Sequence, residues 1–213
     1  MQLSRRARKD ERGAAAVEFA LIAMPLILLM FMIVESAFLM KDYVSVSSAV
    51  RTGARTASAA ADGGPGTCVA SASPPPCSPA SVPAFAQGAA DSIQTTATAL
   101  DTNDINFILV YEPGANGFPL GQSTLTCGSN CVKYIWDAGL SKFRYASGSW
   151  ASASVNACLN DPGRDSVGVG MQVTHGMVSG FFGASKIIQE RTLMQFEPLE
   201  QDRCKPGTFN AHQ

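Results

Sequence analysis

An uncharged apolar run near the N-terminus constrains the fold of this 213-residue chain more than any other feature. The run extends from Phe19 to Val34, and beyond the single Glu35 it continues from Ser36 to Met40. In a helix, about 20 such residues cross the roughly 30 Å hydrocarbon core of a bilayer. The sequence therefore predicts one membrane-spanning helix, with the lipid bilayer as its first partner.

Charges on the two sides of this run predict its orientation. The basic residues behind the run are Lys41, Arg51 and Arg55, whereas a denser basic cluster precedes it: Arg5, Arg6, Arg8, Lys9 and Arg12. Lys and Arg are enriched on the cytoplasmic side of a span. We therefore expect a single-pass protein of the cytoplasmic membrane with its N-terminus inside and everything after Lys41 outside.

Two export signals resemble this N-terminus but fit it less well. A cleaved secretory signal needs small residues directly after the apolar run, where Glu35 stands instead. The pair Arg5-Arg6 is compatible with a twin-arginine signal, but the acidic Asp10 and Glu11 and the length of the run argue against it. An uncleaved signal anchor remains open.

The charge of the exported part argues against one class of partner. From Lys41 onward the chain has 11 Lys and Arg against 13 Asp and Glu, a net charge of −2. Nucleic-acid-binding domains present a basic patch or stripe. We therefore expect no nucleic-acid partner.

Glu18 lies at the leading edge of the apolar run, where an ionisable side chain is costly unless it is paired. One interpretation is that Glu18 extends back to the lipid headgroups. The other is that the chain is cut after Gly13, which would leave 200 residues and a new α-ammonium group on Ala14. Glu18 would then lie four residues later on the same helical face. On this interpretation Gly13 provides extended backbone that a membrane-embedded peptidase can reach.

The basic leader, the Gly13-Ala14 junction and Glu18 are similar to the processing signal of type IV prepilins and pseudopilins. The string from Arg12 to Leu21, together with 49–55, resembles more narrowly the TadE-like family of the tight-adherence (Flp) pilus machinery, and 165–198 is similar to that family's closing strand pair. The resemblance implies a pilin-like fold and processing by a prepilin peptidase. It also implies charge pairing by Glu18 during assembly with other pilus or pseudopilin subunits and inner-membrane platform proteins.

Composition divides the chain into five segments. The helical pattern continues past the membrane until Asp62-Gly63-Gly64-Pro65 ends it, and a Gly-, Pro- and Ser-rich stretch follows. The expected segments are a cytoplasmic leader (1–13), a transmembrane helix (14–40), its extracytoplasmic continuation (41–61), a loop (62–83) and an extracytoplasmic α+β domain (84–213).

The last segment shows one helical and several strand patterns. Apolar residues at helical spacing predict a second helix that ends near Asp101: Phe85, Ala89, Ile93, Ala97 and Leu100. Alternating or apolar runs predict about five short strands: 105–111, 132–136, 143–145, 167–173 and 187–196. This order predicts an α+β fold in which the long helix packs on a small antiparallel sheet with one further helix.

Glycines in one strand suggest how the long helix packs. Gly168 and Gly170 alternate with Val167 and Val169, so they lie on the opposite face of the strand. Because glycine lets another backbone approach closely, we expect the outer half of the long helix to pack against the glycine face.

Six cysteines in an exported domain are expected to be oxidised, since no thiol buffer reduces them there. They allow 15 pairings. Short loops pair easily, which favours Cys68 with Cys77 and Cys127 with Cys131; Cys158 and Cys204 then remain for each other.

No set of residues predicts catalysis, a cofactor or a resident metal. The chain has two histidines, His175 and His212, and neither belongs to a recognisable catalytic motif. Two groups of residues offer oxygen ligands for calcium but match no EF-hand loop: Asp101, Asn103 and Asp104, and Asn160, Asp161 and Asp165. We therefore expect a protein that is not an enzyme.

Two functions fit these observations. The first is a pseudopilin-like minor subunit of a tight-adherence pilus machine, which a prepilin peptidase processes and which assembles through its N-terminal helix. The second is an uncleaved, single-pass anchored binding module or adhesin. Only the first requires Gly13 and Glu18 where they are.

Overall fold

The computed structural model describes residues 12–68, 77–97, 99–159, 161–180 and 183–204. It contains two α-helices, α1 (Arg12–Ala59) and α2 (Ala84–Thr96). Five strands follow: β1 (Ile105–Tyr111), β2 (Cys131–Asp137), β3 (Lys142–Ser149), β4 (Ser166–Gly176) and β5 (Ser185–Gln195). The predicted α+β class is confirmed. The basic leader residues before Arg12 lie outside the described residues.

The five strands form one antiparallel sheet in the order β3-β2-β1-β4-β5. The β4–β5 pair is the longest, with a continuous register from Ser166 opposite Gln195 to Gly176 opposite Ser185. β5 is therefore an edge strand, and the β4–β5 hairpin projects beyond the ends of the other strands.

The two helices cover one face of the sheet. The outer half of α1 presents small and β-branched residues at helical spacing, and all of them are buried: Val46, Ala49, Val50, Ala54 and Ala57. On α2 the predicted apolar face is buried as expected. The helix nevertheless ends at Thr96, earlier than predicted, and a separate 3₁₀ turn (Thr102–Asp104) follows, which the side chain of Asp101 caps by accepting from the N–H of Asn103.

The two helices approach closely at Gly53. A Cβ atom at Gly53 would lie 2.8 Å from Cδ1 of Ile93 on α2 and 3.3 Å from a methyl group of Val169 on β4. Real Cβ atoms do not have contacts as short as the first of these distances, so a larger residue would force the Ile93 side chain to move. Gly53 therefore locates the point where α1, α2 and the sheet meet.

The predicted packing of α1 against the glycine face of β4 is wrong. Val167 and Val169 face the helices, whereas Gly168 and Gly170 face the opposite side. There the ring of Tyr111 covers Gly168, and Cδ2 of Leu125 would lie 2.6 Å from a Cβ on Gly170. The glycines thus accommodate side chains from β1 and the β1–β2 loop.

The structure contains three disulfide bonds: Cys68–Cys77, Cys127–Cys131 and Cys158–Cys204. They join the same cysteines that the sequence analysis preferred. The third bond holds the C-terminal segment against the chain before β4, where the N–H of Ala157 also donates to the carbonyl of Cys204.

Candidate functional site

Gly13 and Ala14 lie in the first turn of α1. The expectation of extended backbone at Gly13 is therefore wrong, since both residues are helical. Both are nevertheless exposed, and within the described part of the chain no atom lies within 4 Å of a Cβ placed on Gly13. The N–H groups of a first helical turn lack partner carbonyls, so the backbone N–H groups at the Gly13-Ala14 junction make no intrahelical hydrogen bonds.

Glu18 is exposed and lies one helical turn after Ala14. Among residues 12–68 and the other described ranges, no side chain or backbone group forms a hydrogen bond or ion pair with it. The folded domain lies far along the helix and leaves Glu18 accessible from the side. Its carboxylate is thus available to an α-ammonium group, in the same chain or in another one.

A continuous apolar surface surrounds the first two-thirds of α1. Every large apolar side chain from Val17 to Val34 is exposed, and exposed apolar residues continue to Val44. The helix is long and apolar enough to cross a membrane, with a mean hydropathy of 2.6 over its best window. This exposure is typical of a single-pass anchor, because the domain buries only the outer part of the helix.

Glu35 is the exception on this surface, because only 5% of it is exposed. Its two carboxylate oxygens accept hydrogen bonds from the backbone N–H groups of Val178 (2.8 Å) and Ser179 (2.9 Å). Both donors belong to the turn region that follows β4. Glu35 therefore binds the end of the β4–β5 hairpin to the helix, and the two donors compensate the charge of its carboxylate.

Two more contacts bind the same hairpin to α1. The imidazole Nδ1 of His175, a buried residue of β4, lies 2.7 Å from Oδ2 of Asp42. On the next residue of α1, a hydrogen bond with Glu190 on β5 raises the pKa of Tyr43 above its usual value. We define the hairpin clamp as Glu35, Asp42 and His175, which together hold the hairpin parallel to the helix.

This clamp was not predicted from the sequence. There Glu35 interrupts the apolar run and argues against a cleaved signal, and His175 is a histidine without a catalytic motif. The argument applied to Glu18, that a carboxylate in an apolar helix needs a partner, applies equally to Glu35. Its partners lie more than 140 positions away in the sequence, and no local pattern identifies them.

The calcium candidates have other partners in the structure. Asp101 accepts hydrogen bonds from the backbone and side chain of Asn103. Asp161 and Asp165 both accept hydrogen bonds from Asn156. Asn160 and His212 lie outside the described residues, and among the described residues no cluster of His, Cys, Asp and Glu has the geometry of a metal site.

Gly13, Ala14, Glu18 and the clamp residues of α1 all lie within one segment that can be compared with known families. Residues 13–55 match the family model of the TadE-like protein. The resemblance proposed from the sequence is confirmed over this segment, and it indicates a protein related to the tight-adherence (Tad) pilus. The matched TadE-like segment extends from the start of α1 to the Gly53 contact with α2. The similarity expected over 165–198 stays a prediction.

No match was found among curated proteins, and none was found among solved structures. The function of the domain outside the TadE-like segment therefore has to be argued from its own geometry.

Proposed function

We propose that this protein is a pseudopilin-like minor structural subunit of a tight-adherence pilus assembly machine. The TadE-like match over residues 13–55 carries the proposal. The proposed role is structural and requires no catalytic group or cofactor. A prepilin peptidase, other pilus or pseudopilin subunits and inner-membrane platform proteins are the proposed partners.

The shape of α1 supports assembly through this helix. The domain contacts α1 only from Glu35 onward and buries it mainly from Val46, so the apolar surface from Val17 to Val34 is accessible on all sides. In a bilayer this surface contacts lipid or other apolar helices. A subunit that joins a helical bundle needs such an unobstructed surface, although an isolated anchor in lipid would also present one.

The proposed processing step is cleavage between Gly13 and Ala14. It removes the basic leader and creates an α-ammonium group one helical turn before Glu18. In a medium of low dielectric constant, attraction between these two charges is much stronger than at a water-exposed surface. Within one chain the pair neutralises Glu18; between two chains it would recruit an incoming subunit and determine its axial position.

Cleavage is tested first, by intact mass measurement of the membrane-extracted protein from cells with and without an active prepilin peptidase. We expect a chain of 200 residues that begins at Ala14 only when the peptidase is active. Recovery of the full-length chain alone in both strains would contradict the proposal and would favour the anchored binding module.

Assembly is tested with Glu18→Gln, which keeps the size of the side chain but removes its charge. We expect normal insertion and cleavage but loss of co-purification with the pilus partners. Glu11→Gln is the matched control, because it removes the same charge from the leader that cleavage discards. Undiminished assembly of the Glu18→Gln variant would refute the charge-pairing mechanism.

A further inference from the structure

The end of the β4–β5 hairpin runs back along α1 towards the helix N-terminus. His175 contacts Asp42, and three residues later Val178 donates to Glu35. Asp42 and Glu35 are seven residues apart, about 10.5 Å along a helix, and the strand from His175 to Val178 covers about 10 Å. The strand therefore lies alongside the helix and runs antiparallel to it, and the hairpin end lies beside Glu35.

The position of Glu35 relative to a bilayer follows from the length of the apolar surface. A hydrocarbon core of about 30 Å that begins at Phe19 requires about 20 residues of helix and ends near Met40. Glu35 then lies about 8 Å inside the outer boundary. This placement rests on the membrane anchoring that is part of the proposed function. It puts the hairpin end at the depth of the outer leaflet.

The surface of the hairpin end suits that depth. Val178, which lies beside Glu35 at the hairpin end, is apolar and 71% exposed. The backbone donors of Val178 and Ser179, which would be costly to leave unpaired near hydrocarbon, are satisfied by Glu35. The N–H of Met177 donates across the hairpin to the carbonyl of Ala184.

A groove separates this hairpin from the helix. It has a volume of about 570 Å³ and is lined mainly by apolar side chains, with Leu39 and Met40 on α1 and Ile187 and Ile188 on β5. A second cavity of about 270 Å³ continues it towards Glu35. Lys186, which lines both cavities, adds a positive charge at the depth where lipid phosphates lie.

We propose that the end of the β4–β5 hairpin inserts into the outer leaflet and that the groove between β5 and α1 holds an anionic phospholipid, its acyl chain against Leu39 and Met40 and its phosphate beside Lys186. Two observations favour lipid as the occupant: the groove is continuous with the apolar surface of α1, and its charged side chain has the sign that a phosphate attracts. The hairpin is thus a second membrane contact that limits rotation of the domain about the helix.

Insertion depth is tested with tryptophan variants of the full chain in vesicles whose acyl chains carry bromine, a short-range quencher. Val178→Trp reports the hairpin end, because the exposed Val178 lies beside Glu35. Leu193→Trp is the matched control, since Leu193 is also exposed but lies near the end of β5 that is distant from the hairpin end. Phe31→Trp reports the span itself. The fluorescence of the wild type, with Trp136 and Trp150, gives the baseline.

We expect strong additional quenching at positions 31 and 178 and none at 193. Quenching at 31 but not at 178 would overturn the inference while leaving the proposed anchor intact. Absence of quenching at all three positions would instead refute the membrane anchoring itself. Quenching at 178 that falls as the protein-to-lipid ratio rises would assign the hairpin end to a contact with a second copy of the chain and would also overturn the inference.

The role of Lys186 is tested by comparing brominated phosphatidylglycerol with brominated phosphatidylcholine at equal mole fraction. In the Val178→Trp background we expect about fivefold enrichment of the anionic lipid near the reporter. Lys186→Gln should abolish the enrichment, whereas Lys142→Gln, a charge loss on the opposite edge strand, should leave it unchanged. Equal quenching by both lipids with Lys186 present would refute the phosphate contact.

Discussion

Replacement of Ile93 by alanine tests the junction between the long helix and the domain. Ile93 is fully buried, and its Cγ1 and Cδ1 atoms fill the space above Gly53. The substitution removes three carbon atoms, which costs about 2.4 kcal/mol at roughly 0.8 kcal/mol each. The residual cavity adds about 1 to 2 kcal/mol. We expect the free energy of unfolding to fall by about 3 to 4 kcal/mol.

The structure also predicts that Gly53→Ala partly repairs this loss. In the wild type the new methyl group would overlap Ile93, a strain of about 1 to 3 kcal/mol that outweighs or cancels the roughly 1 kcal/mol gained by replacing a helical glycine. In the Ile93→Ala background the overlap is absent, and the remaining close contact is Val169 at 3.3 Å. Gly53→Ala should therefore lower the free energy of unfolding of the wild type or leave it unchanged. In the Ile93→Ala background the same substitution should raise the free energy of unfolding.

The assay is a double-mutant cycle on the full chain in detergent, with denaturant unfolding followed by the fluorescence of the buried Trp150. We expect the effect of Gly53→Ala to differ between backgrounds by about 2 kcal/mol. Gly88→Ala is the matched control on α2, because its Cβ would meet Thr56 at 3.8 Å, and it should be stabilising in both backgrounds. A Gly53→Ala effect that is equal in both backgrounds, within about 0.5 kcal/mol, would refute this account of the junction.

Three further predictions concern the hairpin clamp, acid stability and the disulfide near the C-terminus. Glu35→Gln removes the charge that accepts two backbone N–H groups, so hydrogen exchange of the hairpin-end amides should become about tenfold faster or more, whereas Glu18→Gln should leave it unchanged. Three hydrogen bonds, from the Leu140 and Gly139 backbone and the Arg144 side chain, hold the pKa of Asp137 below its ordinary 3.8. Because the pKa of Asp137 is lower in the folded state, its stabilisation is complete above the ordinary (unfolded) value of 3.8 and is lost as pH falls through the folded pKa. The melting temperatures of the wild type and of Asp137→Asn should therefore converge at acid pH. Non-reducing peptide mapping should recover Cys158 linked to Cys204, and replacing both with serine should lower the free energy of unfolding by about 3 to 4 kcal/mol, because that bond closes the longest of the three loops; free thiols at these positions in the denatured, alkylated protein would contradict it.

Local patterns in the sequence were sufficient to predict the elements. The length of the apolar run predicts a spanning helix, and alternation predicts the five strands, because both signals depend only on neighbouring residues. The choice of Gly13, Ala14 and Glu18 as processing and charge-pairing candidates also depends on local spacing. The cysteine pairs Cys68–Cys77 and Cys127–Cys131 are of this local kind as well.

The choice between the two faces of β4 could not be made locally. Alternation places Val167 and Gly168 on opposite faces but does not say which face the helices cover. Which face the helices cover depends on side chains from distant segments. The ring of Tyr111 fills the space above Gly168, and Ile93 fills the space above Gly53. The glycine of α1, and not those of β4, permits the close approach.

The amino-acid sequence by itself therefore determined the membrane-spanning helix, the strands and the processing and charge-pairing candidates, since each rests on spacing within a few residues. Only the tertiary structure decided how the domain is held on that helix. Glu35 and Asp42 find their partners 133 to 144 positions later, on the hairpin between β4 and β5. A carboxylate in an apolar helix shows that some partner is needed, but the identity of that partner depends on which strand the completed sheet brings beside it.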